Sequence, residues 1–137
     1  MPLKVLNHIQ IRTSKLDETR NFFVDVLGLT DGFRPNFPER GHWLYCDGDD
    51  APFVHLTEDA CEGPPRTVKG ATGTGVDHMA LFGTDVDSMI ASLESNDVEF
   101  EKVVARGGSM IQLYVHEPNG LKIELGFFPE EEKAAAG

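Results

Sequence analysis

The chain carries its pattern twice. Set against itself at an offset of 70 residues, Asn7-His8-Ile9-Gln10-Ile11 falls on Asp77-His78-Met79-Ala80-Leu81, and Leu16-Asp17 falls on Val86-Asp87. At an offset of 69, Leu44-Tyr45 falls on Leu113-Tyr114 and Val54-His55-Leu56 on Ile123-Glu124-Leu125. One single-residue gap separates the two offsets, and in both halves a Leu-Tyr pair precedes an ionisable residue by the same ten positions. A duplicated unit of this size buries too little surface to be secure alone, so two modules are expected to pair closely.

Each half reads as strand, helix and three further strands. Val5 to Arg12 alternates, with Val5, Ile9 and Ile11 on one face and His8, Gln10 and Arg12 on the other. Ser14 is placed to cap a helix from Leu16 to about Leu27, and Gly28 to stop it. Leu29–Phe33, Trp43–Cys46 and Phe53–Thr57 are short strand candidates. In the second half Val76 to Phe82 alternates and Asp85 caps a helix carrying Val86, Met89, Ile90 and Leu93. Strands follow at Val98–Ala105, Met110–His116 and Leu121–Phe127, with Pro118-Asn119-Gly120 as the turn between the last two. The expected fold is α+β, two tandem βαβββ modules, each an open, curved, antiparallel-type sheet with a helix on its convex face. Residues 1–128 form one domain on this reading, with module one at about 3–58, a Gly/Pro/Thr-rich linker at 59–75 and module two at about 76–128. The acidic end, 129–137, is expected to be a frayed, flexible tail.

Composition narrows the partners. Twelve basic against 23 acidic residues give a net charge of −11, which argues against nucleic acid and against anionic membrane surfaces. No apolar run approaches the length of a membrane span, and the start, Met1-Pro2-Leu3-Lys4-Val5, does not read as a secretory signal. Cys46 and Cys61 form no C-x-x-C motif and are expected to be inert thiols, which suits a cytoplasmic location. A small-molecule substrate and a homodimer are expected, with the modules paired within one chain or exchanged between two.

Strand parity brings chemistry together. If Ile9, Ile11, Met79 and Leu81 pack under the helices, His8 and His78 project from the opposite face. If Val54, Leu56, Ile123 and Leu125 do the same on the last strands, His55 and Glu124 project with them. Three imidazoles and a carboxylate on one concave surface suit a divalent transition metal, Zn, Ni, Co, Mn or Fe. His55 is either the fourth ligand or an acid/base beside the ion. The same parity puts Gln10, Phe53, Thr57, Ala80, Phe82, Met110, Gln112 and Tyr114 on the pocket walls, with Trp43 and Tyr45 nearby. Tyr114 is the candidate donor to a bound oxygen anion, and Arg34, in the long Gly32–Arg40 loop, is a candidate partner for a substrate carboxylate. His42 and His116 are not favoured as ligands: His42 shares the parity of Leu44 and Cys46, and His116 sits beside a turn.

The double βαβββ pattern, Leu6-Asn7-His8-Ile9, Phe22-Phe23-Val24-Asp25-Val26-Leu27-Gly28-Leu29, Asp77-His78-Met79-Ala80 and Glu117-Pro118-Asn119-Gly120-Leu121-Lys122-Ile123-Glu124-Leu125 resemble the vicinal oxygen chelate superfamily. The resemblance spans about Leu3 to Phe128 and implies metal ligands at the positions of His8, His55, His78 and Glu124. It further implies a metal that chelates two neighbouring oxygens of a small substrate and stabilises an enediolate or similar anion. A glyoxalase-like isomerase or lyase is the favoured function, with His55 standing where that family usually shows Glu or Gln. An Fe(II) extradiol dioxygenase is the alternative, although Ala105, Arg106 and Gly107 occupy the place of its expected acid/base histidine. A metal-free, bleomycin-resistance-like binding protein is the non-enzymatic alternative.

Overall fold

The computed structural model describes residues 2–58 and 77–136, the side chains of 135 and 136 excepted. The expected linker at 59–75, Val76 and Cys61 lie outside the described residues. The chain divides into two compact units, Met1–Pro65 and Arg66–Gly137. Each contains one four-stranded sheet and at least one helix, as the duplicated pattern predicts.

In the first unit the strands are β1 (Ile9–Thr13), β2 (Thr30–Gly32), β3 (Gly41–Tyr45) and β4 (Pro52–Glu58), in the order β1-β4-β3-β2. β1 and β4 are parallel, and only the other pairings are antiparallel. That corrects the expectation of an antiparallel-type sheet: the helix carries the chain across to β2 at the far edge, and the two antiparallel reversals that follow bring β4 alongside β1 in the same direction. The first strand is also shorter than the alternation suggested, since Leu3, Val5 and Leu6 are exposed and precede it.

Helix α1 (Leu16–Asn21) begins without a side-chain cap. Ser14 does not cap it; Thr13 Oγ1 instead accepts from the Lys15 N–H at 2.8 Å. The turn then widens into a π-helical segment, Phe22–Val26, in which Leu27 N–H reaches the Phe22 carbonyl. The wider turn has a packing consequence. It lets the adjacent pairs Phe22-Phe23 and Val26-Leu27 all turn inward, where a regular α-turn would expose one of each pair. Gly28 ends the helix at φ +83, a conformation a side chain would strain.

The second unit has β5 (His78–Phe82), β6 (Glu101–Ala105), β7 (Met110–His116) and β8 (Lys122–Phe127), in the order β5-β8-β7-β6, with β5 and β8 parallel. Asp85 caps α2 (Val86–Ser95) by accepting the Ser88 N–H at 3.1 Å. The expected turn at Pro118-Asn119-Gly120 is present, with Gly120 at φ +90. Glu117, only 2 % exposed, holds it: its carboxylate accepts from Asn119 N, Asn119 Nδ2 and Leu121 N. The expected frayed end is helical instead, α3 (Pro129–Ala136), and Glu132 accepts the Asp85 N–H at 3.0 Å. Its acidic residues sit in its first turn, where a helix favours negative charge.

In both units the core lies on one face of the sheet. Val54, Leu56 and Leu44 are fully buried in the first, and Ile123, Leu113 and Val115 in the second, with Leu125 nearly so. Each such side chain contributes about 1.5–3 kcal/mol by leaving water, so the apolar parity fixes which residues the opposite face presents.

Candidate functional site

On the open face of the first sheet three rings stack. His55 on β4 stands opposite Gln10 of β1 and Trp43 of β3. The His8 and His55 rings lie 3.9 Å apart at 7°, and the Trp43 and His55 rings 4.3 Å apart at 15°. Burial between these rings lowers the His55 pKa; the His8 and Arg34 charges push the same way, against a hydrogen bond to the Pro52 backbone. Near neutral pH the ring is therefore uncharged. Its Nε2 is buried and has no hydrogen-bond partner among the described residues. An uncharged imidazole with a free nitrogen lone pair can take a metal or a proton.

A pocket of about 210 Å³ opens beside this stack, lined by Gln10, Arg12, Arg34, Phe37, Glu39, Trp43, His55 and Thr57. Gln10 is fixed by donating to Thr57 Oγ1 at 2.9 Å. Phe37 tilts towards Trp43 with centroids 6.1 Å apart, and the Arg34 guanidinium lies 5.0 Å over the Phe37 ring.

The second sheet presents a polar cluster on the equivalent face. Tyr114 stands opposite Glu124, and its hydroxyl donates to Glu124 Oε1 at 2.8 Å. Gln112 Nε2 donates to the same oxygen at 2.8 Å. The Glu124 hydrogen bond, with burial and nearby negative charge, raises the Tyr114 pKa, so the phenol keeps its proton. The His78 ring meets Tyr114 edge-on at 6.3 Å, and Lys122 Nζ lies 4.9 Å over the Tyr114 ring and 3.7 Å from Asp77. The His78 hydrogen bond and the Lys122 charge together hold Asp77 below the usual carboxylate range.

The two halves share one register and one histidine arrangement. Gln10 pairs with His55 as Ala80 pairs with Glu124, so His8 stands to His55 as His78 stands to Glu124. His8 Nδ1 contacts Asn7 Oδ1 at 2.7 Å, and His78 Nδ1 contacts Asp77 Oδ1 at 2.7 Å. A carboxylate only accepts, so His78 carries its proton on Nδ1 and keeps the Nε2 lone pair for a ligand. The donor chemistry thus fits a divalent transition ion: imidazole nitrogens and a carboxylate, with the histidines oriented through their second nitrogens. The donors come as two pairs, one in each unit, and no three His, Cys, Asp or Glu side chains gather around a point among the described residues. Two parallel rings also hold their in-plane lone pairs side by side, so His8 would have to turn to share an ion with His55.

The remaining expected wall residues fare differently. Gln10, Trp43 and Arg34 line the pocket. Phe53 is half-buried on β4 beside a β3–β4 irregularity and is not among the pocket's lining residues. Tyr45 is turned away, its hydroxyl bonded to the Phe33 carbonyl at 2.7 Å. Phe82 is 69 % exposed and meets Phe128 edge-on. Met110, 3 % exposed, is packing and not an open wall. The Tyr114 proton, assigned from sequence to a bound oxygen anion, is given to Glu124. His42 is bonded to Asp31 at 2.9 Å, apart from the ring stack, and His116 is exposed beside its turn. Sequence reasoning missed Arg12, Glu39 and Lys122 as members of these clusters. Arg12 and Lys122 had the correct strand parity, and no signal singled out Glu39.

The family profile of the Glyoxalase/Bleomycin resistance protein/Dioxygenase superfamily matches residues 5–125. A lactoylglutathione lyase from Haemophilus influenzae is 30% identical over 124 residues, covering 86% of this chain and 88% of that protein. A protein from Arabidopsis thaliana named glyoxylase I 4 is 29% identical over 130 residues, covering 90% of this chain and 70% of that one. Among solved structures, a glyoxalase/dioxygenase from Nostoc punctiforme superposes with a TM-score of 0.73 at 18% identity, covering 93% of each chain. With the profile spanning nearly the whole sequence and the two βαβββ units in place, this chain belongs to the glyoxalase/bleomycin resistance/dioxygenase superfamily.

Proposed function

We propose that the chain is a divalent-metal-dependent enzyme of glyoxalase type, a lyase or isomerase acting on a small molecule with two adjacent oxygen atoms. The observation that carries this reading is the matched placement of His8 with His55 and of His78 with Glu124, each leading histidine anchored through Nδ1. The likeness to a protein named lactoylglutathione lyase at 30% identity supports it. The ion, when bound, would supply Lewis acidity towards the substrate oxygens.

The chain's own residues do the rest. His8, His78 and Glu124 would hold the ion. Tyr114 and Gln112 both bond Glu124 Oε1, which fixes the carboxylate and leaves its second oxygen outside those two bonds. His55, uncharged and with Nε2 free, is either the fourth donor or the group that carries a proton between substrate carbons. The His8 and Trp43 rings stacked on His55 shield that buried nitrogen. On this proposal residues 1–128 work as one domain, and the protein acts as a homodimer in the cytoplasm.

Metal analysis of protein purified without chelator or a nickel column tests the reading. About one equivalent of a transition ion is expected, lost in His8→Ala and in Glu124→Ala together with turnover. A protein that remains metal-free and still binds small molecules would make it a binding protein instead. Retention of metal in His55→Ala with loss of turnover assigns His55 to proton transfer. Oxygen uptake with catechols in the presence of Fe²⁺ would move the function to ring-cleaving dioxygenation.

A further inference from the structure

The pocket beside His55 holds an arginine that no carboxylate pairs with among the described residues. Among the described residues the buried Arg34 Nε has no hydrogen-bond partner, and Arg34 takes part in none of the ion pairs. Its guanidinium is nonetheless held in place. It rests on the Phe37 ring, and it lies so close over Gly41 that an added Cβ would come within 2.7 Å of its terminal nitrogen. A buried donor without an acceptor is costly, and a fixed planar fork is shaped for a two-oxygen anion.

The surroundings narrow the anion. Arg12 lines the same pocket, which makes it a basic spot on a chain of net charge −11. Glu39 lines it too, which disfavours a second negative charge on the ligand. Trp43 and Phe37 offer flat apolar walls, and the volume of about 210 Å³ suits a single ring with a short side arm.

We infer that this pocket is a recognition site for a small aryl carboxylate, with Arg34 clamping the carboxylate and Trp43 and Phe37 bordering the ring. The inference deepens the proposed function by naming the substrate's charge and shape, and it rests on that reading only in taking the occupant to be the substrate. The residues that carry it lie in the first unit alone.

The chain contains one tryptophan, Trp43, so its fluorescence reports directly on this pocket. Titration of the full-length protein with phenylacetate should give saturable quenching. Phenylacetamide, the same shape without the charge, should bind on the order of tenfold more weakly or worse. Arg34→Gln should lose a similar factor for phenylacetate and little for the amide. Arg34→Lys, which keeps the charge and loses the fork, should recover only part of it. Equal binding of acid and amide, or undiminished binding of phenylacetate by Arg34→Gln with its fold intact by circular dichroism, overturns the inference. Tighter binding of phenyl phosphate than of phenylacetate also overturns it, in favour of a phosphate site. The titrations are repeated after chelator treatment, with metal content measured on the same samples. Full metal with no preference for the acid ends this inference and leaves the metal enzyme standing; acid binding in a protein that never holds metal does the reverse.

Discussion

Trp43 lies flat against His55, ring centroids 4.3 Å apart and planes within 15°. The tryptophan is therefore a reporter of the histidine's charge as well as of the pocket.

In chelator-treated protein, Trp43 fluorescence should fall on acidification, because a protonated imidazole quenches a stacked indole. The midpoint should lie below the ordinary histidine value, since burial lowers the His55 pKa. The sign for stability follows from the same shift. Below the unfolded value the unfolded chain binds more protons at this site than the folded one, so the His55 contribution is present above about pH 6.5. It is lost as pH falls through the lower folded value. A fluorescence midpoint above that of free histidine would contradict this.

The Asp77–His78 contact should matter to metal affinity more than to folding. Asp77 is exposed, and its removal costs the core nothing, but it leaves His78 free to choose its tautomer and orientation. Asp77→Ala is expected to weaken metal binding by roughly tenfold to a hundredfold, with little change in Tm. Competition against a fluorescent chelator reads the affinity, and Asp77→Asn, which retains an acceptor oxygen, should recover much of it.

Glu117 is the reverse case, a buried carboxylate whose work is structural. Three N–H bonds converge on it at the β7–β8 turn. Glu117→Ala should cost about 2–4 kcal/mol, because it removes a buried acceptor and strands the part-buried donors it holds. Glu117→Gln keeps one acceptor oxygen and should cost less. Urea denaturation separates the two.

Gly41 joins fold and pocket. A Cβ there would run into the Leu56 carbonyl oxygen and crowd the Arg34 guanidinium. Gly41→Ala should therefore lower stability by about 1–3 kcal/mol and weaken anion binding in the same protein. An unchanged Tm would show that β3 moves aside freely.

How much of this was legible in the residues follows from which rules are local. Strand parity is local, and it groups side chains that the structure finds side by side: His8 with His55, Gln10 and Arg12 with His55 along one pocket, and His78 and Glu124 with Tyr114. Asp85 as a cap and Asn119-Gly120 as a turn rest on side chains with one strong preference, and both are present. The π-turn at Phe22–Val26 was not legible, because it resolves a conflict between helical spacing and two adjacent apolar pairs that only packing decides. Arg34 was visible as a loop arginine, but the seat of its guanidinium depends on Gly41 being bare on a neighbouring strand. The helical end at Pro129–Ala136 was missed because its tie to Asp85, through Glu132, spans 47 residues.

The sequence repeat also misled in one respect. Tyr45 and Tyr114 occupy matching places in it, ten residues before His55 and Glu124. In the second unit Tyr114 does stand across from Glu124, but in the first Trp43, not Tyr45, stands across from His55, with an irregularity between Leu44 and Tyr45. One hairpin has slipped by two rungs relative to its copy. Anyone grafting side chains from one half onto the other by lining up their letters would install them one full pleat away from the intended neighbour. The two halves thus present different surfaces from one pattern, one a ring-walled basin and the other a tight phenol–carboxylate knot.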